Sequence, residues 1–279
     1  MTAVLVPAGP RTSRTPLGNA KVTQGRVLLS EWTKFRSLRS TVWTLLVAAI
    51  LMIGISALFS AVVANKYSTF NASDLAQFNP IRTSLQGVTF AQLAIGVLGV
   101  LLVTGEYSTG MIKASLTVVP RRLPVLWAKL AVFTGTVFTM SLITSFISFF
   151  LGQALLSSKH VDVSITSPGA LRSVIGAALY VTVAGMIGVA LGTILRSTAA
   201  GISTFVGVFF VIPPLTELLP SSVKDNLTQY LPSNAGAVLY GGGRDLHNAL
   251  SPWTGFGLLC IYAVVMIAVA ARRLLRTDA

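Results

Sequence analysis

Six stretches of this sequence, 42–64, 86–104, 130–156, 173–195, 198–216 and 253–271, contain no Asp, Glu, Lys, Arg or His. Each reaches the roughly 18 apolar residues that a helix needs to cross a bilayer core about 30 Å thick. Lipid offers the backbone no hydrogen bonds, so only helices or a closed barrel can span it. Alternation with a period of two residues is absent, which excludes the barrel. The expected fold is therefore all-α: a polytopic membrane protein with six transmembrane helices. The run 130–156 is the longest and is expected to tilt or protrude. Composition agrees, since 10% of the residues are charged, against about 25% in a soluble domain.

The charged residues set the orientation. The chain carries 21 Lys and Arg against 8 Asp and Glu, a formal charge of +13. So basic a balance often signals nucleic acid, but the apolar runs assign it to a membrane, and no nucleic-acid partner is expected. With the N-terminus inside, segments 1–41, 105–129, 196–197 and 272–279 hold fifteen Lys and Arg, and the outside segments 65–85, 157–172 and 217–252 hold six. That asymmetry predicts both termini in the cytoplasm. The expected organisation is a disordered cytoplasmic tail over 1–25, a transmembrane domain over 26–276 with an outside segment at 217–252, and a short tail at 277–279.

Ahead of the first span, 26–40 reads RVLLSEWTKFRSLRS. Leu28, Leu29, Trp32, Phe35 and Leu38 recur at helical spacing, with Ser30, Lys34 and Ser37 opposite and Arg36 and Arg39 breaking the apolar face. This predicts an amphipathic interfacial helix with a Trp anchor and snorkelling basic residues, in contact with membrane lipids. The alternative is a basic flank that only orients the first span.

Several chemistries are unsupported. No ionisable residue falls in any span, which argues against a proton relay. His160 and His247, the only histidines, fall in outside loops. Neither H-E-x-x-H nor a Cys–His cluster occurs, so no metal ligands are expected; Cys260, inside the sixth span, reads as a small apolar filler. G-x-x-x-x-G-K-[ST] is also missing, so the chain is not expected to hydrolyse ATP through such a loop. No catalytic residue and no cofactor is assigned to it. What remains is a membrane body whose energy comes from a partner.

The stretch 105–130, GEYSTGMIKASLTVVPRRLPVLWAKL, has the build of a handle for that partner. Gly105 is expected to end the second span, and Glu106 to open a new helix, where the dipole favours a carboxylate. Tyr107, Met111, Ile112 and Leu116 form an apolar stripe, and Pro120 stops the helix. Glu106 is expected to pair with Lys34, Arg36 or Arg39 of the preceding amphipathic helix. A basic loop retained by charge would explain Arg121 and Arg122, but not the stripe or the leading glutamate.

G-E-Y-x-x-G-M-I-K, then P-R-R, then A-K-L at the third span, resembles the signature region of ABC type-2 transporter permeases. The six-span layout, the amphipathic helix before span one and the long outside segment before span six are similar too. The resemblance covers residues 26–276. It implies the transmembrane subunit of an exporter, working as a dimer with a second copy of itself or a related permease. Two cytoplasmic ATP-binding-cassette subunits, holding ATP and Mg, would dock beneath, and the location would be the plasma membrane of a bacterial cell. It also implies that 105–122 carries the coupling helix, with Glu106, Tyr107, Met111, Ile112 and Leu116 meeting the ATPase. The connecting helix beside it, 28–40, would hold Trp32, Lys34, Phe35, Arg36 and Arg39. The substrate does not carry over. Two other classes stay open: a secondary transporter or facilitator without an ATPase, and a non-transporting anchor or regulatory subunit.

The spans give further expectations. Gly96 and Gly99 in span two, and Gly185, Gly188 and Gly192 in span four, let helices approach closely, within or between subunits. In span three Thr136, Thr139 and Ser145 either line a substrate path or bond their own backbone. Pro213 and Pro214 are expected to kink span five. Residues 217–252 either dip back into the membrane or form a plain outside loop.

Overall fold

A computed structural model of the chain describes residues 24–108, 122–220, 224, 226–242 and 249–276. The expected tail at 277–279 lies outside them, as does 1–25 up to residue 23. Gln24 and Gly25 instead open the first helix. Among the described residues all regular structure is helical: α1 Gln24–Ser37, α2 Arg39–Lys66, α3 Ala72–Gln77, α4 Pro80–Thr83, α5 Val88–Ser108, α6 Arg122–Leu156, α7 Ala170–Leu195, α8 Thr198–Val206, α9 Ile212–Leu215, α10 Pro232–Ala237 and α11 Pro252–Arg276. Six helical stretches are long and apolar enough to cross a membrane: Arg39–Thr69, Val88–Ser108, Leu123–Lys159, Ala170–Leu195, Thr198–Leu215 and Pro252–Arg276. The protein is an all-α, multi-pass membrane protein. α6, with 35 residues, is about 52 Å long and exceeds the hydrocarbon thickness.

α7 is the axis of the bundle. In its most apolar window 83% of the residues are buried, against 17% in that of α8–α9. Small residues make this possible: Gly176, Ala177, Ala178, Ala184, Gly185, Gly188, Ala190 and Gly192 lie along α7. Its tightest partner is α5. A Cβ on Gly188 would collide with the Gly96 carbonyl, one on Gly99 with the Gly185 carbonyl, and one on Gly192 with that of Val100. The glycines noted in spans two and four thus serve packing within one chain.

α2 packs on α5 and on α6, and α6 packs on α7 as well. The buried residues of α2 recur every fourth position, as Ala48, Met52, Ser56, Ser60 and Ala64. α6 answers with an inward row of Ser141, Ser145, Ser148 and Gly152, and Gly152 abuts Ser60 and Ser84. Between α4 and α5 the descending chain is broken at 84–87. The broken backbone finds partners on its neighbours, as irregular chain inside a membrane bundle must. Gly87 N–H donates to Ser56 Oγ at 3.0 Å. Gln153 Nε2 donates to the Pro80 carbonyl at 3.1 Å and to Ser84 Oγ at 2.7 Å, while its Oε1 accepts from Val163 N–H at 2.8 Å.

The expected distortion of span five appears one turn ahead of the prolines. α8 gives way to a π-helical turn at Gly207–Val211, after which Pro213 and Pro214 enter α9. A wide turn accommodates a ring that cannot donate and that crowds the preceding carbonyls. The segment before the last span folds back into the bundle. Gly236 abuts the Tyr180 ring, Leu239 meets Gly176, and the rings of Tyr180 and Tyr240 lie 5.3 Å apart. Tyr180 is ten residues into α7, about 15 Å along the helix.

Replacing Gly188 with Leu should destabilise the protein by about 1–3 kcal/mol or prevent folding, because backbone stands where the side chain must go. Gly54→Leu should shift stability by no more than about 0.5 kcal/mol, since nothing lies within 4 Å of a Cβ there. Thermal unfolding in detergent compares them; equal melting of the two variants would refute this packing.

Candidate functional site

α1 presents Val27, Glu31 and Phe35, spaced one turn apart, to the rest of the protein. Val27 packs on Val125 and Ala128 of α6, and Phe35 joins the main core. Of the apolar residues expected at helical spacing, Phe35 alone turns inward. Leu28, Leu29, Trp32 and Leu38 are exposed and point away, which suits the lipid side of an interfacial helix. The expected helix 28–40 also begins and ends earlier: it runs from Gln24 to Ser37, Leu38 is extended, and Arg39 already belongs to α2.

Glu31 sits between two apolar neighbours with 5% of its surface exposed. A carboxylate buried there must be paired. Lys129, also 5% exposed, places its Nζ 3.0 Å from Glu31 Oε2 and 2.7 Å from Glu106 Oε1. Lys34 Nζ lies 2.8 Å from Glu31 Oε1 and 4.0 Å from Glu106 Oε1. Two carboxylates and two ammoniums thus alternate in a closed box of no net charge. It joins α1, the last turn of α5 and the first turns of α6, the elements that flank residues 109–121. Burial pushes the Glu31 carboxyl up, but Lys129 and Lys34 outweigh it, so Glu31 is held below the ordinary range.

Glu106 corrects one expectation and meets another in part. It does not open a new helix, because α5 runs on through Gly105 and Glu106 to Ser108. At that end of a helix the dipole disfavours a carboxylate, and the Lys129 ammonium offsets this. Its nearest partner is Lys129, with Lys34 second, while Arg36 and Arg39 are exposed and make no ion pair among the described residues.

Tyr107 secures the other side of the α5 end. The Arg196 guanidinium stands 5.1 Å from the centre of its ring. Arg196 ends α7 at φ 54°, its N–H donating to the Gly192 carbonyl at 3.0 Å. Ser197 Oγ then caps α8 by accepting from Ala200 N–H. Thr198 Oγ1 donates to Thr104 Oγ1 at 2.9 Å, so the tight α7–α8 turn is fastened to α5 just before residue 109.

The remaining expected site residues divide. Met111, Ile112 and Leu116 lie outside the described residues. Trp32, Thr136 and Thr139 line a shallow groove on α6 with Met140 and Ile143. Thr136 and Thr139 bond the carbonyls of Val132 and Gly135, and Ser145, which is fully buried, bonds that of Leu142. Nine residues separate Thr136 from Ser145, half a turn out of phase. The three hydroxyls therefore share no single surface and form no continuous path.

Sequence reasoning missed Glu31 and Lys129 as functional groups. The signal was present: Glu31 is the lone acid in α1, and Lys129 stands at the threshold of a charge-free run. No family model matches the chain, and no curated protein matches it.

Lys129→Ala should cost about 3–5 kcal/mol, because it leaves Glu31 and Glu106 buried with Lys34 alone. Adding Glu106→Gln should recover part of that loss. The Glu31 contribution has a definite pH window. A carboxyl whose folded pKa is depressed stabilises fully above its unfolded value, about 4.3, and loses that stabilisation as pH falls through the lower folded value. Thermal unfolding of Glu31→Gln beside the parent should show a deficit at pH 7 that vanishes in acid. A deficit independent of pH would contradict this assignment.

Proposed function

We propose that this chain is the transmembrane subunit of an ABC type-2 exporter, driven by ATP hydrolysed in separate ATP-binding-cassette subunits. The observation that carries the reading is the pairing of the GEYSTGMIK stretch with the ionic box at its root. A partner that pushes on residues 109–121 acts between two anchored points. On one side Glu106 and Tyr107 tie the end of α5 to α1, α6 and the α7–α8 turn. On the other, Lys129 ties the start of α6 to the same box. Force applied there would reach α5, α6, α7 and α8 through these contacts. Tyr107 is turned into the bundle against Arg196, so Met111, Ile112 and Leu116 of the expected stripe would supply the contact chemistry on the ATPase side, for small buried apolar clusters dominate interface energy.

The reading places the α1 end of the bundle in the cytoplasm of a bacterial cell, at the plasma membrane, and pairs the chain with a second permease. The absence of charge from the six apolar runs supports a partner-driven mechanism over one driven directly by protons.

Ile112→Asp should reduce ATPase co-purification at least tenfold, because an unpaired charge in an apolar groove is costly. Glu106→Gln should keep the ATPase bound yet lower export per ATP hydrolysed several-fold. Normal binding and export in both variants would refute a coupling role for this stretch. In a Cys260→Ser background, an impermeant thiol reagent applied to intact cells should label Ser251→Cys and spare Thr277→Cys. The reverse pattern would overturn the orientation.

A further inference from the structure

Beside the ionic box is a cavity of about 310 Å³ that the coupling role does not use. It opens at the hinge where α1 ends and α2 begins, and it is chemically divided. Leu98, Leu101, Leu102 and Val132 make one wall apolar, and Lys34, Ser37, Ser40, Thr41 and Thr44 make the other polar. Its rim includes the exposed residues Leu38, Ser40 and Leu101, so it communicates with the surroundings of the bundle. We propose that this cavity holds the glycerol–phosphate region and upper acyl chain of one anionic phospholipid from the adjoining leaflet.

Three observations select that occupant. The first is position: the cavity lies at the end of the membrane helices, beside a helix whose Leu28, Leu29 and Trp32 are turned outward. Lipid is therefore the medium the opening faces. The second is size, since 310 Å³ lies at the low end of small-molecule sites and suits part of a lipid rather than a folded partner. The third is charge. Arg36 and Arg39 flank the hinge, exposed and without an ion pair among the described residues. Glu31 and Glu106, the described carboxylates on the cavity wall, are each held by lysines. The first turn of α2 has no acidic residue, and Leu38 gives it no side-chain cap. The lining is neutral in sum, two lysines against two glutamates, so the positive charge offered to an anionic headgroup is that of Arg36 and Arg39 beside the cavity, as in basic segments next to membranes.

Delipidated protein titrated with phosphatidylglycerol and read by native mass spectrometry should retain one such lipid per chain. Retention should exceed that of phosphatidylcholine with the same chains at least fivefold. Glycerol 3-phosphate at millimolar concentration should not displace it; displacement would mark a plain anion site and overturn the lipid assignment. Thr44→Trp, which fills the cavity, should lower retention at least fivefold. Ile261→Trp, on the exposed face of α11, should leave it unchanged. On the parent chain, phosphatidylglycerol with a photoreactive acyl group should label peptides within 38–44 and 98–102. This last measurement needs no variant to fold. Equal retention of the two lipids, or label confined to other spans, would refute the proposal, and a cavity covered by another segment of the chain would give the same negative result.

Discussion

The approach of α5 to α7 is the contact on which the bundle depends. Lipid tails are as apolar as leucine, so a membrane gives two apolar helices little reason to leave it for each other. Attraction must come from dispersion, which grows only if backbones can close in. Gly99 on α5, against the Gly185 and Gly188 backbone, and Gly188 and Gly192 on α7, against the Gly96 and Val100 carbonyls, remove the side chains that would hold them apart, while Gly96 makes room for the Phe205 ring of α8. With α7 fixed against α5, the remaining large elements have a surface to wrap: α6 and α11 on α7, α8 across both, and α2 against α5 and α6. The 3₁₀ turn Val238–Tyr240 packs beside Tyr180.

Much of this was legible because a membrane reduces sequence to a simple signal. Runs without charge marked all six spans, and the glycines marked the helix pair that packs closest. The errors share one cause. Ending a span at its first charge assumes that charge means water, so span two was cut at Thr104 and span three begun at Leu130. Glu106 and Lys129 instead continue their helices because each neutralises the other. The side of α1 that packs on the bundle is a further case: beside Val27 and Phe35 it holds Glu31, whose burial depends on a lysine nearly a hundred residues away. No local periodicity carries that information. The α1–α2 break at Leu38 was equally hidden, since Arg39 and Ser40 are compatible with a continuing helix.

The ionic box contributes geometry more than stability. A buried ion pair often does no better than well-packed apolar residues, but removing one member leaves an uncompensated charge. That asymmetry makes the box a positioning device. α1 can sit in few registers along α6, because a slip of one residue would pull Glu31 away from Lys129 and leave it with Lys34 of its own helix. An apolar seam such as Val27 on Val125 and Ala128 tolerates sliding; four alternating charges do not.

Within the box the contacts are unequal, and the inequality falls where the cavity opens. Lys129 holds both carboxylates at 2.7 and 3.0 Å, and is almost wholly buried. Lys34 holds Glu31 at 2.8 Å but reaches Glu106 only at 4.0 Å, and its side chain is 29% exposed. An anionic headgroup in the cavity would therefore draw on Lys34 and leave Lys129 undisturbed. The core of the box, Glu31–Lys129–Glu106, would keep α1, α5 and α6 together while the Lys34–Glu106 side yields. The joint at the root of residues 109–121 thus combines a close contact, Lys129 with both carboxylates, and a longer one, Lys34 with Glu106, and Lys34 borders the cavity.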